Sequence, residues 1–221
     1  CKSDLIITIY NEDGTLTTYG ISIKQCSNKS PTNAQLFFTT ARAFSALLTN
    51  NGIPVSGAAV RALRQFCGDD GFRPCDNPSV MMKRESDPRR YFWEETDKSG
   101  RKEWEKIFSE KQDEVTRLLL QKAYLDDPFV PDFILHKTKK SESWNTTELA
   151  IYSIEELISL SRKYSGFTVK SYRVSKGSYC DPVGVEHQAP RFGIVQMQRG
   201  GQAQHPTQLQ FNLQSGYFYK I

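Results

Sequence analysis

Asp4, Ser22 and Lys24 are the residues of this chain whose types and spacing could do chemistry. Hydrolysing a phosphodiester with a divalent cation needs oxygen ligands, a group that orients the attacking water, and positive charge beside the phosphorus as negative charge develops. Asp4 supplies a bridging carboxylate for Mg²⁺, the Ile23 carbonyl a second ligand, and Lys24 the cation that orients water. Ser22 stands where a second carboxylate is usual. Its neutral hydroxyl coordinates weakly, so its expected task is to hold metal-bound water while a carboxylate from elsewhere assists. On spacing alone the plain alternative is an Asp that starts a strand and a solvated Lys that ends the next.

Two strands and a turn must position these groups. Residues 5–10, LIITIY, are β-branched and aromatic, and Asn11, Glu12, Asp13 and Gly14 form a turn signal. Residues 16–25 alternate, with Tyr19, Ile21 and Ile23 on one face and Ser22 and Lys24 on the other. A polar loop is expected over 27–35, then a helix over 36–48, and a second helix capped by Ser56 with Val60, Leu63 and Phe66 on its apolar side. Periodicity predicts one long helix over 99–125 and a buried strand over 132–136, followed by a basic loop holding Lys137, Lys139 and Lys140. Ser153 and Glu156 form a capping box for a helix ending near Gly166, and residues 167–174 alternate as a strand.

Glutamines dominate the last segment. The runs FGIVQMQ and TQLQFNL, joined by RGGQAQHP, predict a β-hairpin over 192–213, with Gln196 and Gln198 on one face of one arm and Gln208 and Gln210 on one face of the other. A two-stranded ribbon fits the major groove, Gln and Arg have the donor patterns that read base edges, and Arg199 joins the glutamines as a candidate. The alternative is a solvent-facing sheet whose polar residues happen to be Gln. Residues 83–90 place Lys83, Arg84, Arg89 and Arg90 before Tyr91, Phe92 and Trp93. They suit either a nucleic-acid backbone or a solvated edge over core aromatics.

At 221 residues with 38% hydrophobic and 24% charged side chains, the chain is expected to be a single α/β domain with strand-rich ends and a helical middle. Net charge is +4, and no acidic residue follows Glu186, so the C-terminal part can approach phosphates without like-charge repulsion. No apolar run can cross a bilayer, so no membrane partner and a cytoplasmic location are expected. Five scattered cysteines argue for reduced thiols, and the spacing of Cys67, Cys75, Cys180 and His187 fits no usual zinc site.

The segment KSDLIITIYNEDGTLTTYGISIKQCSNK, the run AVRALRQF and the run FGIVQMQRGGQAQHPTQLQFNL together resemble the small type II restriction endonucleases of the PD-(D/E)xK fold, most nearly the GCGC cutter of the Hin-P type and more distantly the CCGG cutter of the Msp type. The resemblance implies a mixed β-sheet flanked by helices with a C-terminal β-hairpin, Mg²⁺ as cofactor, and cleavage of double-stranded DNA at a short palindrome, which admits a homodimer. It also implies an amide-bearing residue at the place of Ser22, DNA contacts from Asn28, Lys29, Asn33 and Gln35 after the lysine, and a groove-reading role for the C-terminal hairpin. The family carries a glutamate on a helix before the first strand. This chain starts with Cys1 and enters the strand at once, so its natural N-terminal helix is expected to be missing. The alternatives are a repair or junction nuclease of the same fold, a catalytically inactive sequence-specific DNA-binding module, and a protein-interaction domain.

Overall fold

The computed structural model describes residues 2–26, 34–74, 90–122, 127–139, 147–176, 179–200 and 207–214. The fold is mixed α/β, built on two sheets with five α-helices among the described residues. The first sheet has the order β1 (Leu5–Tyr10), β2 (Leu16–Cys26), β4 (Phe133–Lys139), β5 (Thr147–Ser153). Its β2 and β4 run parallel, and the outer pairs are antiparallel. The second sheet, antiparallel throughout, has the order β3 (Ala34–Thr39), β11 (Leu209–Leu213), β10 (Val195–Arg199), β9 (His187–Phe192), β6 (Phe167–Tyr172). A small ribbon pairs β7 (Ser175–Lys176) with β8 (Tyr179–Cys180).

The first hairpin forms as its residues dictate. Asn11 N donates to Thr15 O at 2.9 Å, and Gly14 takes φ 79°, a conformation that glycine adopts without a steric cost. The parallel partner of β2 must arrive by a long crossover, which here contains β3, α1 (Ala41–Asn50), α2 (Gly57–Cys67), α3 (Lys98–Glu110) and α4 (Gln112–Gln121). The capping expectations hold: Ser56 Oγ accepts from Ala59 N, and Ser153 and Glu156 close a reciprocal box at the start of α5 (Ile154–Arg162).

Four expectations need correction. The stretch expected as a helix over 36–48 begins as β3, because Leu36, Phe37 and Phe38 suit a half-buried strand, in which Phe37 and Phe38 pair with Phe211 and Gln210 of β11; only after Thr40, whose hydroxyl caps Ala43 N at 3.1 Å, does helix α1 start. Gln35, expected in a loop, therefore lies in a strand. The single helix over 99–125 is two, broken at Lys111, so that the buried Gln112 can donate to the Ser161 carbonyl at 2.9 Å and accept from Gly166 N at 3.0 Å. Neither Gly nor Pro marks that break. Lys137 and Lys139 belong to β4 rather than a loop, and Lys140 lies outside the described residues. The run FGIVQMQ is divided by a two-residue connection, Gly193–Ile194, with Gly193 at φ 52°; Phe192 ends β9 and the hairpin arm starts at Val195.

The helices pack on one face of the second sheet around a cluster of rings: Phe108 stacks on Phe192 at 4.3 Å, and Phe44 with Phe211 at 4.6 Å and Trp104 with Phe108 at 5.4 Å between centroids are tilted pairs. Val195, Met197, Leu209, Phe211 and Leu213 complete that core, and Ile134 joins it from the first sheet. No helix among the described residues is long and apolar enough to cross a membrane.

Candidate active site and nucleic-acid interface

Asp4 sits just before β1, its N–H donating to Ile21 O at 2.8 Å, so the ladder between β1 and β2 carries its side chain to the edge of β2. The Ile23 N–H then donates to Asp4 Oδ2 at 2.7 Å. Alternate residues of an antiparallel strand direct both N–H and C=O to the same edge, so the Ile23 carbonyl lies on the edge that Asp4 occupies. Ser22 is fully buried on the other register, and its hydroxyl meets Asp4 Oδ2 at 3.2 Å while accepting from Lys24 Nζ at 2.8 Å. The three residues separated by seventeen and one positions in sequence thus form one chain of contacts, Lys24 to Ser22 to Asp4.

Burial holds the Lys24 ammonium below its ordinary pKa, opposed by the charge of Asp4. A second lysine, absent from the sequence expectations, lies in the same field. Lys2 is 6% exposed, and its Nζ donates to Leu36 O in β3 at 2.6 Å and stands 4.9 Å from the centre of the Phe37 ring. Burial first, then the charge of Lys24, lowers its pKa to about 7, against the upward pull of Asp4 and Asp127. No periodic or spacing signal marks Lys2. Its role emerges only because β3, thirty-odd residues away, folds back beside it.

The donor set of Asp4 carboxylate, Ile23 carbonyl and Ser22 hydroxyl is all oxygen, which suits a hard divalent cation. Asp4 is exposed and so accessible to one. Among the described residues no group of three or more His, Cys, Asp or Glu side chains could hold a metal.

The glutamines sit in the second sheet. Pairing of Gln196 with Asn212 and of Gln198 with Gln210 puts these four on the face away from the helices, and the registers extend one row from Gln35 through Asn212 and Gln196 to Arg191. Their amides are bonded in sequence: Gln210 Nε2 to Asn212 Oδ1 at 2.9 Å, Asn212 Nδ2 to Gln198 Oε1 at 3.1 Å, and Gln214 Nε2 to Gln196 Oε1 at 3.4 Å. Arg191 donates to Gln214 Oε1. An arginine cannot accept, so it fixes the polarity of that second series and leaves the Gln196 amide nitrogen as its terminal donor.

Arg199 is on the opposite face from Gln196 and Gln198. It pairs with Leu209, and its guanidinium donates to Tyr91 O and Tyr172 Oη, both at 3.2 Å, and lies 4.7 Å from the Phe92 ring centre. Arg90 is likewise internal, donating to Gly200 O at 2.7 Å, with Phe92 and Trp93 buried beside it. Gln208 precedes β11, its Oε1 buried without a hydrogen bond. Asn28, Lys29 and Asn33, like Lys83, Arg84, Arg89 and Cys75, lie outside the described residues. His187 packs flat on Phe92, with Nδ1 2.7 Å from Glu94 and Nε2 3.3 Å from Asp181, so it clamps β9 to the turn at Trp93–Glu95; Cys67 is buried and Cys180 exposed.

No protein-family profile and no curated protein matches the sequence. Among solved structures, the chain is similar to the restriction endonuclease MspI in complex with its cognate DNA, at TM-score 0.47 and 11% identity, over 96% of this chain. It spans 63% of the length of that endonuclease chain.

Proposed function

We propose that this chain is a Mg²⁺-dependent type II restriction endonuclease that hydrolyses duplex DNA at a short palindrome, with a GCGC-like sequence as the first site to test. The observation that carries this reading is the contact chain from Lys24 Nζ through Ser22 Oγ to Asp4 Oδ2 at the end of the first hairpin. Asp4, the Ile23 carbonyl and the Ser22 hydroxyl would hold Mg²⁺, which supplies Lewis-acid stabilisation of the scissile phosphate when bound. Lys24 orients the attacking water and places positive charge against the phosphate as charge develops. Ser22 holds the Lys24 ammonium at a fixed distance from the carboxylate. Gln35, Gln196, Gln198 and Gln210 supply the base-reading face, with Asn28, Lys29 and Asn33 along the backbone.

A second reading, a sequence-specific DNA-binding module without catalysis, is favoured by one observation: the side chain that meets Asp4 from position 22 is a neutral hydroxyl, where a second carboxylate is usual. Incubation with phage DNA and Mg²⁺ separates the two. Discrete fragments are expected, lost in Lys24→Ala with binding retained; intact DNA under specific binding favours the module, and a smear favours a nonspecific nuclease. An unchanged cutting rate in Lys24→Ala would end the active-site assignment.

A further inference from the structure

We infer that Lys2 is a positioning residue that ties the Asp4 carboxylate to the strand carrying the glutamine row, an inference that rests on the nuclease reading of the Asp4 site. Lys2 lies two residues before Asp4, and every link between them is fastened. The Lys2 backbone N–H donates to the buried Asp127 carboxylate at 2.6 Å, Ser3 Oγ donates to Phe129 O at 2.9 Å, and Asp4 N–H donates to Ile21 O at 2.8 Å. A shift of the Lys2 side chain therefore reaches Asp4 with little slack.

The far end of Lys2 is held by the second sheet. The β3–β11 register slips between Phe211 and Asn212, so that Phe37 faces Phe211, Gln35 faces Asn212, and Leu36 between them is the extra residue of a bulge. A bulged residue is left out of the ladder, and here the Leu36 carbonyl is taken by Lys2 Nζ at 2.6 Å. Leu36 adjoins Gln35, the exposed end of the Gln35, Asn212, Gln196 and Arg191 row. Movement of that row against a base edge pulls on the carbonyl that anchors Lys2, and through Lys2 on Asp4.

A lysine kept for stability alone would be exposed or paired with a carboxylate through its ammonium. Lys2 is neither: it is nearly sealed from solvent, and the oxygen bonded to its Nζ is a main-chain carbonyl. Its cost in burial is explained by what it connects.

The experiment uses the full chain and the site mapped from its own digestion of phage DNA. Single-turnover cleavage is measured with Mg²⁺ and equilibrium binding with Ca²⁺, on the mapped duplex and on a one-base mismatch, for the wild type, Lys2→Met and Lys2→Arg. Lys2→Met is expected to lose about a hundredfold in cleavage rate, the effect of moving a reacting group by about 1 Å, with binding within about threefold. Lys2→Arg, which keeps a long N–H donor for the Leu36 carbonyl, is expected to recover most of that loss. Should Lys2→Met fail to fold, Lys2→Gln carries the same comparison. A wild type that cuts, with Lys2→Met cutting equally fast or losing binding and rate together, overturns the role of Lys2. A wild type that never cuts overturns the nuclease reading instead.

Discussion

Lys24 and Asp4 meet through a single oxygen, the Ser22 hydroxyl, 2.8 Å from the ammonium and 3.2 Å from the carboxylate. Ser22→Ala leaves the half-buried Lys24 without that acceptor. A hydrogen bond to a charged group contributes about 1 to 3 kcal/mol, so cleavage is expected to slow by roughly ten- to a hundredfold. Single-turnover kinetics with a parallel binding titration checks this; an unchanged rate removes Ser22 from the machinery.

The stability of the fold should carry the mark of Lys2. Its pKa is lowered from 10.5 to about 7 in the folded chain, so between these values the unfolded chain binds more protons and stability rises with pH. Below about 7 both states are protonated and the burial penalty is constant. Urea midpoints of the wild type and Lys2→Met from pH 7 to 10 are expected to converge or cross in favour of the wild type as pH rises. Parallel curves would mean that Lys2 keeps its proton.

Gln198 and Arg199 are neighbours in sequence and opposite in direction, so their substitutions should differ in kind. Gln198→Ala is expected to reduce discrimination between the mapped site and a mismatch by about 1 to 3 kcal/mol. Arg199→Ala instead removes a guanidinium from Tyr91 O, Tyr172 Oη and the Phe92 ring, and is expected to lower stability by about 1 to 3 kcal/mol with the discrimination ratio intact. Binding ratios and urea unfolding of both variants decide it; a loss of discrimination confined to Arg199→Ala would reverse the assignment.

Local signals explain why the first hairpin, the Ser56 and Ser153 caps and the Gln-bearing hairpin were legible: each rests on alternation or on a cap within a few residues. The break at Lys111 was not, because it follows from the Gln112 contacts with Ser161 and Gly166, residues about fifty positions away. The surroundings of Arg199 were not legible in the same way, because alternation puts adjacent residues such as Gln198 and Arg199 on opposite faces but does not say what occupies each face. The contact of Lys2 leaves no sequence signal for a related reason: its partner is a main-chain carbonyl, which leaves no trace in residue type.

Gly20 tests whether the placement of Asp4 depends on close backbone packing. A Cβ at Gly20 would stand 2.5 Å from Ser3 Oγ and 2.5 Å from the Val130 carbonyl oxygen. The serine can rotate, but Val130 O is main chain, and Gly20 itself is held on both sides, its N–H donating to Asp132 Oδ2 and its carbonyl accepting from Asp132 N, each at 2.8 Å. The displaced partner is therefore Ser3, next to Asp4, together with the segment at Val130 that leads into β4. Gly20→Ala is expected to cost about 1 to 3 kcal/mol in stability from overpacking and to slow cleavage further than that loss accounts for, because the carboxylate moves with Ser3. The comparison is made at a temperature where the variant is fully folded by circular dichroism, with the rate measured at saturating protein. A folded Gly20→Ala that cuts at the wild-type rate would show that Asp4 is positioned by the Ile21 and Ile23 backbone alone.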